Sequence, residues 1–211
     1  MVTGGDPVEE RLARRLDLPG EGRAARRGAS RLLHRLGHYD RAVYETVAGW
    51  QTPWADAPLV SVSRLANHSK PWLALAAVLA LKGGPPGRRA AVAGVSAIGA
   101  TSLLVNQPLK ALSRRRRPDR PVLGVPEDRW VPMPTSRSFP SGHAASAAAF
   151  AVTVGHLLPT LRRPLRAAAV VVGFSRVYTG VHYPSDVLVG ATVGALIGRV
   201  AGRLAARVPV G

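Results

Sequence analysis

The chain has 211 residues, 46% hydrophobic and 19% charged, so it can bury a core of ordinary size. With no cysteine, disulfides and thiolate metal sites are excluded. Twenty-nine Lys and Arg against 12 Asp and Glu give a net charge of +17, which suits anionic partners: nucleic acid, anionic lipid or phosphorylated substrates. A genome rich in G and C, which favours Arg and Ala codons, accounts for part of that excess.

Residues 1–30 mix Gly4, Gly5, Pro7, Pro19, Gly20 and Gly22 with charge of both signs and read as a mobile basic tail, with a short helix near 8–17. No secretory signal peptide is visible in the first forty residues. An amphipathic helix is predicted over 31–48, with Leu32, Leu33, Leu36, Val43 and Val47 on its apolar stripe. It opens an amphipathic helical region spanning 31–69, ahead of a helical core over 70–207.

Five apolar segments follow, at 72–81, 90–109, 144–158, 165–174 and 187–198. The second is uncharged for twenty residues and meets the membrane-spanning length outright; the others need flanking residues to cross. Gly94, Gly99, Gly190, Gly194 and Gly198 allow close helix contact. The expectation is an all-α, membrane-embedded bundle of four or five spans. A soluble helical bundle explains the shorter runs about as well. Trp50, Trp54, Trp72 and Trp130 fit interfacial anchors.

The loops fall into two sets. One carries Lys82, Arg88, Arg89, Arg162, Arg163, Arg166 and the arginines after Gly198, with no carboxylate. The other carries Lys70, residues 110–143 and residues 175–186, and holds every unusual polar group.

Three patches in that second set point to chemistry. Lys110 and Arg117 are seven apart, so on a helix both project from one face, suiting a phosphoryl group. Arg114, Arg115 and Arg116 read as lipid or solvent contacts. Pro140, Ser141 and Gly142 lead into a helix begun by His143, where free amides bind anions and a histidine can protonate a leaving oxygen. His182 and Asp186 are four apart, and a carboxylate beside an imidazole sets its tautomer and leaves the other nitrogen nucleophilic. Arg176 adds another fixed cation. An ordinary helix cap, a basic juxtamembrane cluster and a helix-start aspartate would explain each patch singly, but together they match phosphoryl transfer through a histidine. That chemistry needs no metal, and no carboxylate cluster is present to bind one.

Lys110-x6-Arg117-Pro118, Pro140-Ser141-Gly142-His143 and Ser175-Arg176-x5-His182-x3-Asp186 together resemble the tripartite signature of the type-2 phosphatidic acid phosphatase superfamily. The resemblance extends through helices 70–207 and implies a site at one end of a helical bundle. It implies His182 as nucleophile, Asp186 orienting it and His143 as general acid. Lys110, Arg117, Ser141, Gly142 and Arg176 would bind phosphate, with no cofactor and no metal. The implied partners are a lipid phosphate, such as a polyprenyl phosphate, phosphatidic acid or phosphatidylglycerophosphate, and the bilayer, with no nucleic acid. The superfamily also contains soluble acid phosphatases and haloperoxidases, and a basic binding protein is the remaining alternative. His156 is expected to be structural; His68 lies on the active side, with a structural role expected and contact with substrate as the alternative. The carboxylate-free loops, if cytoplasmic, put the site on the extracytoplasmic side of the plasma membrane.

Overall fold

The computed structural model describes residues 37–208 apart from 111, 112 and 114. The tail at 1–30 and the residues 31–36 of the amphipathic segment, with His34, lie outside these. Among the described residues the regular structure is entirely helical. From Arg41 onward the chain forms one compact unit.

Residues 41–48 are helical (α1). They are followed by α2 (Pro53–Leu65), α3 (Lys70–Lys82), α4 (Gly84–Leu104), α5 (Gly142–Leu157), α6 (Arg162–Tyr178) and α7 (Pro184–Arg207). Proline opens α2, α3, α4 and α7 in the first two positions, where its missing N–H costs nothing. Ser141 caps α5, its Oγ accepting from the Ala144 amide at 3.4 Å. Four of the predicted apolar segments are recovered as helices, three of them lengthened at both ends by flanking residues. α2, at 53–65, is a separate helix that the sequence pattern did not resolve.

One predicted helix is broken. α4 ends at Leu104 and passes into a π-helical turn, Val105–Leu109, that contains Pro108. Residues 115–119 are not helical. Lys110 and Arg117 therefore do not share a helix face, and meet by another route described below.

α5 is the central helix, packed on α4, α6 and α7. Its closest neighbour is α7, which presents Gly190, Gly194, Gly198 and Gly202 at every fourth position, all buried. A Cβ on Gly194 would collide with the Ala145 carbonyl, and one on Gly190 with the Ser141 carbonyl. These glycines bring the start of α7 against the start of α5. Trp72 is buried beside Phe150, with ring centroids 5.6 Å apart, so it is a core residue and not an interfacial anchor. Trp54 stays 80% exposed.

A second core gathers Tyr44, Val47, Ala55, Leu123, Val125, Val177 and Tyr178 around buried Arg129. Arg129 pairs with Asp56 at 2.7 Å, donates to the carbonyls of Val47 and Ala48 and lies 4.3 Å from the Tyr178 ring centre. Arg120 donates to the carbonyls of Val131 and Gly180. Gly180 has φ of 68°, and a Cβ there would stand 2.7 Å from the Tyr44 hydroxyl. This buried arginine framework fixes residues 120–131 of the connection and the turn that carries His182.

Candidate active site

The site lies where the starts of α5 and α7 meet the end of α4. Lys110, Arg117, Gly142, His143 and His182 line one cleft of about 590 Å³. The two imidazoles thus face a common space, although one stands in the first turn of α5 and the other just before α7.

His182 is 1% exposed. Its Nδ1 faces the Asp186 carboxylate, 3.6 Å from Oδ2, with the Ser138 hydroxyl 3.4 Å away. Its Nε2 is 3.3 Å from Arg117 Nη1 on the cleft side. The geometry matches a ring that carries its proton on Nδ1 and offers the Nε2 lone pair to the cleft. Burial is the largest influence on its basicity; the Asp186 contact opposes it and the Arg117 and Arg176 charges add to it, so the pKa falls to about 4. The imidazole is neutral at physiological pH.

Asp186 is fully buried at the third position of α7. Its Oδ2 accepts from Ser138 Oγ at 2.5 Å and from the Tyr183 amide at 2.9 Å. Its Oδ1 accepts from Arg115 Nη1 at 2.9 Å. Arg115 also donates to Ser185 Oγ and stacks on the Tyr183 ring. The expectation that Arg115 is a lipid or solvent contact is therefore wrong. Residues 115–119 are not helical, and Arg115 lies against the start of α7. Arg116 is exposed, as expected, and Arg114 lies outside the described residues.

Lys110 and Arg117 converge through Ser136. Lys110 Nζ and Arg117 Nη2 both donate to Ser136 Oγ, at 3.3 and 3.2 Å, and Arg117 Nε donates to the Ser136 carbonyl at 2.8 Å. Burial, helped by the Arg117 and Arg176 charges, lowers the Lys110 pKa to about 8. Burial also lowers that of Arg117 to about 10, against the attraction of Asp186.

Arg176 is 1% exposed on α6. Its Nη1 donates to the Ser63 carbonyl and hydroxyl, at 3.0 and 2.7 Å. Its Nε and Nη2 are buried with no acceptor among the described residues. Its charge acts on both His143 and His182. Two unmatched donors on a buried cation are costly unless an anion meets them. Ser141 is fully buried with its hydroxyl in the α5 cap, while Gly142 faces the cleft.

His143 Nε2 is 3.0 Å from Asn67 Oδ1. Asn67, His68 and Ser69 form a short turn on the cleft wall, where His68 and Ser69 hold positive φ of 56° and 58°. His68 thus stands on the substrate side, as its sequence position implies. Asn67, Ser138, Ser136, Ser63 and Arg115 are neighbours of the site that sequence reasoning missed. None carries a pattern of its own, and each is defined only by the packing. His156 sits at the far end of α5, away from the cleft. Among the described residues no group of His, Asp and Glu could hold a metal ion.

Such a cleft, with two neutral-capable imidazoles, a carboxylate behind one of them and cations around both, is the kind a phosphatase uses. Residues 91–208 match the PAP2 superfamily, and the chain belongs to it. It is 38% identical over 136 residues to the decaprenylphosphoryl-5-phosphoribose phosphatase of Mycobacterium tuberculosis, covering 63% of this chain and 70% of that one. Its fold is similar to the crystal structure of the transmembrane PAP2-type phosphatidylglycerolphosphate phosphatase of Bacillus subtilis. That match has a TM-score of 0.65 and 25% identity, over 83% of this chain and 88% of the other. The fold is also similar to that of Aquifex aeolicus LpxE, with a TM-score of 0.61 and 24% identity over 77% and 93% of the two chains.

Proposed function

We propose that this PAP2 phosphatase removes the terminal phosphate of an amphipathic phosphoester, a polyprenyl phosphate or a related lipid phosphate, through a phosphohistidine on His182. The observation that carries the reading is Arg176. Its two buried donors without an acceptor among the described residues match the oxygens of a phosphoryl group held between the cleft imidazoles.

His182 Nε2 attacks phosphorus while Nδ1–H stays held by Asp186 and Ser138. The P–O bond to the lipid breaks, its electron pair leaves on the lipid oxygen, and His143 supplies the proton. Lys110, Arg117, Arg176 and the backbone at Gly142 hold the remaining oxygens. A water then attacks the phosphohistidine, losing a proton to His143, and inorganic phosphate and free His182 result. All atoms come from substrate, water and the chain.

The lipid part of the substrate fits the rest of the cleft wall, where Leu73, Ile98, Pro132 and Met133 face the same space. The outer faces of the helices support embedding in a bilayer. Leu81, Val92, Leu103, Val170, Leu188, Leu196 and Leu204 all stand more than half exposed. Among the described residues, Pro184–Arg207 is the one helix long and apolar enough to cross unaided. The carboxylate-free end opposite the site suits the cytoplasmic side under the positive-inside rule, which supports the reading of an extracytoplasmic cleft at the plasma membrane.

The test is phosphate release by detergent-purified protein from a panel of decaprenyl phosphate, phosphatidic acid, phosphatidylglycerophosphate and a water-soluble phosphomonoester, with and without vanadate. Preference for one lipid phosphate and competitive block by vanadate are expected. Equal turnover of the soluble ester and every lipid would sink the lipid assignment.

A further inference from the structure

The opposite end of the bundle holds a second concentration of cations that the phosphatase chemistry does not use. A cavity of about 190 Å³ is lined there by Arg162 and Arg166 of the start of α6, Arg199 and Arg203 of the end of α7, and His156 and Gly155 of the end of α5. His156 is thirteen residues from His143 on one helix, which places the cavity roughly 20 Å from the active cleft.

Three features make this a shaped cavity and not a scatter of surface charge. Gly155 and Gly202 draw the helices together: a Cβ at Gly155 would stand 2.9 Å from Arg162 Cα, and one at Gly202 would stand 3.1 Å from His156 Cβ. Arg199 and Arg203 are four apart on α7, so both project to the same side. Arg162 is anchored at the cavity wall, its Nε donating to the Gly155 carbonyl at 3.1 Å. The cations also lack counter-charges among the described residues. From residue 130 to the C-terminus Asp186 is the only acidic side chain, and it lies in the active site. None of the four arginines forms an ion pair among the described residues. Four like charges around one small cavity repel unless an anion sits among them.

We infer that the Arg162–Arg166–Arg199–Arg203 cavity is an anion site, distinct from the catalytic cleft, that takes a phosphate group. Guanidinium forks from two helices match the tetrahedral oxygens of a phosphate better than point charges would. The phosphate comes either from an anionic lipid headgroup at the bilayer surface or from free phosphate in solution. Occupancy ties α5, α6 and α7 together at the end remote from the chemistry, so it stabilises the fold.

The experiment uses the full chain in dodecyl maltoside micelles and follows the thermal unfolding midpoint against added phosphatidylglycerol, phosphatidylcholine or inorganic phosphate. Four proteins are compared: wild type, Arg199→Gln/Arg203→Gln, Arg166→Gln and Arg207→Gln, the last altering a cation at the same end that does not line the cavity. If the source is lipid, phosphatidylglycerol raises the wild-type and Arg207→Gln midpoints, and phosphatidylcholine does not. The double variant then needs about 10–30-fold more phosphatidylglycerol for the same rise, from the loss of two near-surface charges. If the source is free phosphate, the phosphate-dependent rise carries that loss instead; whatever persists in the double variant belongs to the catalytic cleft. Arg166→Gln, on another helix, gives the same direction of change even where the α7 pair lowers the unliganded midpoint. Equal responses to both anions in wild type, the double variant and Arg166→Gln would overturn the site, and would leave the lipid phosphatase reading untouched.

Discussion

Arg115 Nη1 donates to Asp186 Oδ1 at 2.9 Å, on the carboxylate oxygen that does not face His182. The other oxygen, Oδ2, takes the Ser138 hydroxyl and the Tyr183 amide and still faces Nδ1 of His182. Asp186 therefore has no freedom to rotate away from the imidazole. One carboxylate caps α7, neutralises Arg115 and fixes a ring, and all three tasks follow from its place at the third residue of the helix.

Arg115 is a positioning residue on this geometry. Arg115→Gln is expected to lower kcat about 10-fold or more with KM little changed, because it loosens the group behind His182 without touching the cleft. Arg115→Lys restores part of the loss by keeping the charge. Steady-state kinetics on the three proteins decide it; a rise in KM at constant kcat would assign Arg115 to substrate instead.

The two histidines are separated by their dependence on the leaving group. His182→Ala is expected to abolish turnover of every substrate, since His182 is the cleft imidazole that a carboxylate backs. His143→Ala is expected to cost about 10²–10⁴-fold with a lipid alcohol as leaving group and far less with p-nitrophenol, which departs without a proton. Equal losses for both substrates in His143→Ala would remove it from the general-acid role.

How far these residues were legible in advance differs from one to the next. Lys110, Arg117, His143, His182 and Asp186 carry a spacing that the sequence displays, and five of the core helices announce themselves by apolar runs. The route by which Lys110 and Arg117 meet was not legible. A helix through 110–117 looked sound on spacing alone, and only the π-helical turn around Pro108 shows why it fails. Ser138, Asn67 and Ser63 acquire their roles from tertiary contact, and a lone Ser or Asn has no periodicity to betray it. The buried Arg129 was hidden for the reverse reason: amid so many arginines, nothing in composition marks the one that pairs with Asp56 in a core.

Asn67 tests that point directly. Its Oδ1 holds His143 Nε2 at 3.0 Å, from a turn held in a left-handed conformation. Asn67→Ala is expected to lower kcat by roughly 10-fold, through misorientation of the acid, and the loss is expected to shrink with p-nitrophenyl phosphate. Asn67→Asp retains an acceptor at the same place and recovers more activity than Ala. A loss independent of the leaving group would make Asn67 a packing residue only.

Lys110 sets the alkaline limit. Its pKa is lowered to about 8, so in the free enzyme the cation is present below that pH and lost as pH rises through it. His182, with a pKa lowered to about 4, is neutral over the whole range above that and contributes no limb near neutrality. The profile of kcat/KM, which reports the free enzyme, is expected to fall above about pH 8. Lys110→Arg moves that fall upward by at least a unit, because a guanidinium titrates higher. An unchanged alkaline limb in Lys110→Arg would assign it to another group.

The glycine row on α7 makes the last prediction. A side chain at Gly194 would strike the Ala145 carbonyl, which is backbone of the central helix and cannot turn aside. Gly194→Leu therefore forces α7 off α5 and separates the His182–Asp186 pair from His143. The expected cost is about 1–3 kcal/mol or more in stability, with loss of activity that exceeds it because the site straddles the two helices. Gly99 on α4 serves as the control, since nothing lies within 4 Å of a Cβ built there. Gly99→Ala is expected to be neutral or to stabilise by up to about 1 kcal/mol through helix propensity alone. Thermal unfolding and phosphate release on the two variants, taken together, distinguish a row of glycines that sets the helix spacing from one that is merely tolerated.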